Sequence, residues 1–167
     1  DGDKRRYFRV VPKDGQTAEA AARWLPLEGG RNFRDLGGYM TTDGQQVRWG
    51  KVFRTGAMSG LTDQDYQLLD TLNIGTVVDF RTAPERAHEP TRWQNPQTEI
   101  LSWDYVMDMG AFAEIFRQPE LTPGKVEQAM AAQYPALLDQ QQPHFQAMFD
   151  RLLNKDQALV FNCTAGK

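Results

Sequence analysis

Residues 157–167 read Gln157-Ala158-Leu159-Val160-Phe161-Asn162-Cys163-Thr164-Ala165-Gly166-Lys167. A short apolar run bounded by turn formers predicts a buried strand over Gln157–Phe161, passing directly into a turn of small residues around a thiol. A core strand that enters a glycine-containing turn hands over to a further element, so the natural protein is expected to continue beyond Lys167. Upstream, Thr62 suits an N-cap, Asp63 and Asp65 place negative charge in a first helical turn, and Tyr66, Leu68, Leu69 and Leu72 share a face, which predicts a helix over Thr62–Leu72 ended by Asn73 and Gly75. Ile74–Phe80 (IGTVVDF) is apolar and β-branched, as a strand covered on both faces requires. A helix followed by a buried strand is the α/β pattern.

The remaining segments are weaker signals. Tyr7–Pro12 alternates like an edge strand closed by Pro12, and Thr17–Trp24 is ambiguous between loop and helical turn. Arg31–Tyr39 reads as loop, Thr42–Gln45 as a turn and Gln46–Phe53 as a strand. Thr82 with Pro84 suggests a short helix start, and Glu99–Tyr105 a strand. Asp108–Arg117, Thr122–Tyr134 and Pro143–Leu153 read as three helices, the last with Phe145, Met148, Phe149 and Leu152 on one face.

Composition narrows the function. At 167 residues the chain suits one domain with a core of its own. One Cys and two His cannot fill a four-ligand structural zinc site, and a single Cys allows no internal disulfide. A net charge of −3 argues against a generic nucleic-acid binder, and no apolar run approaches the ~18 residues of a membrane span. No signal peptide is visible, and scarcity of cysteine fits the cytosol and a secreted or periplasmic bacterial protein equally, so the compartment stays open, as does the oligomeric state.

The chemistry centres on Cys163. A lone cysteine ending a buried strand is most often a small core hydrophobe. Followed by Thr164, Ala165, Gly166 and Lys167, it can do more: small residues let successive N–H groups converge into an anion-binding nest, a following helix N-terminus would add positive potential, and Lys167 would add a cation. A thiolate facing a tetrahedral anion there is arranged to attack phosphorus.

Four segments, in order and spacing, resemble the atypical bacterial protein-tyrosine and dual-specificity phosphatases, a group that includes secreted mycobacterial and listerial tyrosine and phosphoinositide phosphatases. Asn32–Tyr39 (NFRDLGGY) is similar to their Asn-Phe-Arg-Asp-Leu-Gly-Gly segment. Val52–Ala57 (VFRTGA), Val77–Thr82 (VVDFRT) followed by Glu85, and Asn162–Lys167 (NCTAGK) are similar to three more. The resemblance spans about Gly30 to Lys167. It implies an α/β domain with a central, mostly parallel sheet flanked by helices and cleavage of a phosphate monoester through a cysteinyl-phosphate, with no metal or organic cofactor. The substrate would be a phosphorylated protein, a phosphoinositide or an inositol phosphate. It also implies that Cys163 is the nucleophile and that the backbone of Thr164 to Lys167 holds phosphate.

Two departures are visible. Asn162 stands where the family has His, and cannot carry a positive charge. The family's loop Asp and Arg would follow Lys167. The competing reading is therefore a non-catalytic phosphate-binding module; an inositol-polyphosphate phosphatase on the same scaffold is a further alternative.

Other residues keep two readings. Asp79, at a strand end, either orients the phosphate loop or forms an ion pair with Arg81 or Arg34. Arg34 and Asp35 line the pocket or, the favoured reading, brace the Gly37-Gly38 turn. For Arg54 a surface ion pair is favoured over a headgroup contact. Asp104 is not favoured as a general acid, and His88 and His144 read as surface histidines. Phe112, Ile115, Phe116 and Met130 read as ordinary helix packing ahead of a lid.

Overall fold

The computed structural model describes residues 5–15, 17–107, 110–117 and 119–166, with backbone only at 111, 112 and 116. Strands β3 (Arg34–Asp35), β4 (Val52–Thr55), β5 (Ile74–Asp79), β6 (Glu99–Ser102) and β7 (Ala158–Asn162) form one sheet in the order β3-β4-β7-β5-β6. β4, β7, β5 and β6 run parallel and the two-residue β3 pairs antiparallel on the edge. This is the α/β, mostly parallel architecture expected. The register levels the C-terminal ends: Thr55 and Asp79 both pair with Asn162, and Asp79 pairs with Ser102. Open parallel sheets place their sites at that edge, and Cys163 is the next residue along.

Alternation along the central strands divides the core in two. Val77, Ala158 and Val160 turn to one face, where they meet Phe33, Phe53, Met58, Tyr66 and Leu69; Val78 and Leu159 turn to the other, against Met148, Phe145 and Leu152. Helix α1 (Asp63–Asp70) covers the first face. Its start is a capping box: Thr62 Oγ1 accepts from the Asp65 N–H and Asp65 accepts from the Thr62 N–H. Asp65 does more than meet a helix dipole. It is buried, and its carboxylate also accepts from the N–H groups of Glu28 and Gly29, pinning the segment that leads to β3. Asn73 follows in the left-handed region at φ 52° and turns the chain into β5.

Helix α4 covers the second face. It is one helix of 32 residues, Pro123–Asn154, capped by Thr122, where two helices separated at Pro135 and Pro143 were expected. Both prolines lie on its exposed side. The carbonyls their missing N–H groups leave unbonded therefore face water, which can satisfy them, while packing on the inner side holds the helix through. Although α4 is long, no helix among the described residues is apolar enough to cross a membrane.

Smaller differences have similar causes. Thr17–Trp24 contains a strand, β2 (Ala18–Ala21), because β1 (Tyr7–Val10) offers it an antiparallel partner outside the main sheet; eight residues, four of them alanine, are too few to propagate a helix alone. The strand expected over Gln46–Phe53 begins only at Val52, since Gln46 bridges back to Met40 across the Thr42–Gln45 turn. The strand from Glu99 ends at Ser102. Helix α2 (Ala83–His88) starts as expected, and α3 runs over Gly110–Phe116; Asp108 lies outside the described residues.

Candidate active site

The loop after β7 is held from outside at three successive carbonyls. Thr164 O accepts from the Ala57 N–H at 3.0 Å, Ala165 O from Asn32 Nδ2 at 2.9 Å, and Gly166 O from Arg54 Nη2 at 2.7 Å. With its carbonyls drawn outward, the loop can turn N–H groups inward, and the Gly166 N–H points at Cys163 Sγ at 3.2 Å. Gly166 sits at φ 69°, and a Cβ there would lie 2.5 Å from Gly56 N. Gly56 is tight as well, since a Cβ on it would stand 3.1 Å from Thr164 O. Position 166 thus favours glycine for the turn as well as for close approach, and position 56 for close approach.

The donors come from two of the four motif segments, Asn32–Tyr39 and Val52–Ala57. Asn32 is held at φ 55° so that its amide reaches the loop, and Arg34 Nη2 donates to Asn32 Oδ1 at 2.8 Å. Arg54 is half-buried and bonds a carbonyl; the expected surface ion pair is not what it forms, because the nearest acceptor brought to the end of β4 is the loop itself. Asp35 braces the glycine turn, as favoured: its fully buried carboxylate accepts from the N–H groups of Gly37 and Gly50 and pairs with Arg5.

Asp79 ends β5 beneath the loop. It forms a buried, two-point ion pair with Arg81, accepts from Thr91, and receives Asn162 Nδ2 at 3.1 Å. Burial pushes the Asp79 carboxyl up, but these hydrogen bonds and the Arg81 charge outweigh it and hold the group below its ordinary value. Asp79 thus pairs with Arg81 and also contacts Asn162, the residue before Cys163. Arg81 also donates to Glu89 O and Thr91 Oγ1.

Glu85 was quoted only as part of a motif, and its role was missed. Its carboxylate caps α2 at Thr82 and also accepts the Thr164 hydroxyl. Burial raises its pKa and those hydroxyl and amide donors lower it more, so Glu85 stays ionised below the usual carboxylate range. Its position three residues into a helix gave a sufficient local explanation and concealed the second contact.

Above the loop lies a cavity of about 330 Å³. Cys163, Asn162 and Gly166 form its floor with Arg54 and Arg81, and the walls are Phe80, Tyr105, Tyr134, Leu138 and Phe145. Burial, then the nearby Glu85 charge, raise the Tyr105 phenol, which donates to Phe80 O. His144 is no surface histidine: its ring stacks on Trp103 at 4.2 Å between centroids, and burial lowers its pKa. His88 is exposed. Asp104 pairs with Arg86, its side chain is 83 % exposed, and it does not line the cavity. Lys167 and the side chains of Phe112 and Phe116 lie outside the described residues; Ile115 is half-buried and Met130 exposed.

A cysteine at the C-terminal edge of a parallel sheet, over a loop whose carbonyls are tied back, defines the site of a phosphate-handling α/β protein. The sequence model of the tyrosine phosphatase family matches residues 25–167, and the chain belongs to that family. A protein of Cupriavidus necator, provisionally assigned as a tyrosine-protein phosphatase, is 31% identical over 166 residues, covering 95% of this chain and 58% of that protein. A tyrosine-protein phosphatase of Nostoc commune is 30% identical over 115 residues, covering 68% of this chain and 37% of its own length. The chain thus spans less than two thirds of the length of either relative.

Proposed function

We propose that this chain carries the phosphate loop and nucleophile of a cysteine-dependent phosphatase acting on phosphotyrosine. The observation that carries the reading is the outward tethering of three successive loop carbonyls around Cys163. It preorganises inward N–H groups for an anion without cost at the moment of binding. Cys163 Sγ attacks phosphorus, the bond to the ester oxygen breaks with its electron pair leaving on that oxygen, and a cysteinyl-phosphate forms. Water then attacks phosphorus, Sγ departs as thiolate, and inorganic phosphate is released. Thr164, Ala165, Gly166 and Lys167 hold the phosphoryl oxygens through their backbone, while Asn162, Asp79, Arg34 and Arg54 position the loop.

The wall chemistry supports an aryl ester over an inositol polyphosphate. Phe80, Tyr105, Tyr134, Leu138 and Phe145 suit a ring, and the two arginines of the floor are already engaged with Gly166 O and Asp79. Phosphate release is to be measured from phosphotyrosine and from inositol polyphosphates, with the protein and its Cys163→Ser variant. Release that depends on the thiol and prefers phosphotyrosine is expected. Equal release by both proteins overturns the mechanism, and preference for the polyphosphate overturns the substrate. Binding of phosphate with no release would favour the non-catalytic module.

A further inference from the structure

One wall of the cavity carries a buried amide donor with no hydrogen-bond partner among the described residues. Tyr134, Leu137, Leu138, Gln141 and Phe145 recur on one stripe of α4 and all line the cavity. Four are apolar or aromatic. Gln141 is 3% exposed, and its Nε2 has no hydrogen-bond partner among the described residues. Its other amide end is occupied: Oε1 lies 2.7 Å from His144 Nδ1, and the His144 ring is clamped on Trp103 with the planes 15° apart. With Nδ1 protonated, His144 donates to Oε1 and so turns the Nε2 donors away from itself. A buried amide donor with no partner destabilises the free protein, since it forgoes its hydrogen bonds to water. Such groups persist where a ligand completes them.

We infer that Gln141 is a substrate-binding residue whose Nε2–H donates to an oxygen of the phosphoester held over Cys163, with His144 and Trp103 fixing its orientation. This rests on the phosphatase reading above. It adds a contact from α4, opposite the loop, and it makes the long helix part of the binding site instead of a cover for the sheet alone. Only acceptors complete an N–H, and a phosphate monoester presents oxygen acceptors over its whole charged end. The apolar neighbours on the stripe would flank the ring.

The test uses the Cys163→Ser protein, which can bind without turnover, with and without Gln141→Leu. Titration calorimetry is run with phosphotyrosine and with inorganic phosphate. Gln141→Leu is expected to weaken phosphotyrosine by about tenfold, while the melting temperature of the free protein changes little, because the gain from removing an unpaired buried donor offsets the loss of the acceptor of His144 Nδ1. In the protein with Cys163 intact, KM should rise more than kcat falls. Equal weakening of inorganic phosphate supports the contact with a phosphoryl oxygen; weakening of phosphotyrosine alone places the contact off the phosphoryl group and overturns the inference. Unchanged affinity for both ligands overturns the inference, and a lower melting temperature with unchanged affinity shows Gln141 to be a structural residue. If the protein with Gln141 intact binds neither ligand, the phosphatase reading itself fails.

Discussion

Gly166 decides the shape of the loop at the level of a single residue. It adopts φ 69° and lies against Gly56 and Thr55 with no room for a Cβ. Gly166→Ala combines a left-handed conformation with a backbone overlap, so it should lower the unfolding free energy by about 2–4 kcal/mol in urea titrations, and weaken phosphotyrosine binding as well. An unchanged urea midpoint would mean that the loop relaxes freely and is not tethered as described. Asp79 is the second such residue. Removing it by Asp79→Ala strands the buried Arg81 guanidinium and Asn162 amide, with an expected loss of about 3–5 kcal/mol. The Asp79 contribution is present above the ordinary carboxylate pKa and fades as pH falls through its lower folded value, so the gap between the two proteins should narrow in acid. The motif residues were legible singly in the sequence; their partners were not. Arg54 looked like a strand-end cation in search of a carboxylate, and its true partner, Gly166 O, is 112 residues away.

Helix α4 was misread at the scale of the element because Pro135 and Pro143 are local stop signals, whereas the helix is held by packing of Phe145, Met148 and Leu152 and by hydration of its outer side. Pro143→Ala restores an N–H donor and should stabilise the protein by up to about 3 kcal/mol; a loss of stability would show that the helix depends on a bend there. The C-terminal end of α4 is tied to β6 by Glu99, which accepts from both Arg151 and Lys155. Those hydrogen bonds lower the Glu99 pKa to about 2. A depressed acid stabilises above its unfolded pKa and ceases to do so as pH falls through the folded value. Glu99→Gln should therefore melt earlier than the parent at pH 7, modestly because the cluster is partly exposed, with the difference shrinking between about pH 4.5 and pH 2. A gap that persists at pH 2 would assign the effect to packing.

Across the whole molecule, one sheet separates two apolar clusters that share no side chain, one under α1 and one under α4. Leu69→Ala and Met148→Ala remove one buried anchor from each, and each should cost about 2–5 kcal/mol. Because the sheet lies between them, the double variant should equal the sum within about 0.5 kcal/mol in chemical denaturation; a larger departure would reveal coupling through β5 and β7. The sequence alone determined the α/β class, the two central strands, the capped start of α1 and the place of Cys163 at the end of a buried strand, since these rest on local periodicity, capping and an uninterrupted run of motif residues. Tertiary structure alone decided that Thr17–Trp24 contains a strand, that α4 is continuous, that Glu85 and Asn32 hold the loop, and that Gln141 lines the same cavity as Cys163. Each of these depends on a partner distant in the chain, and contact energy between such residues leaves no trace in the spacing of either one.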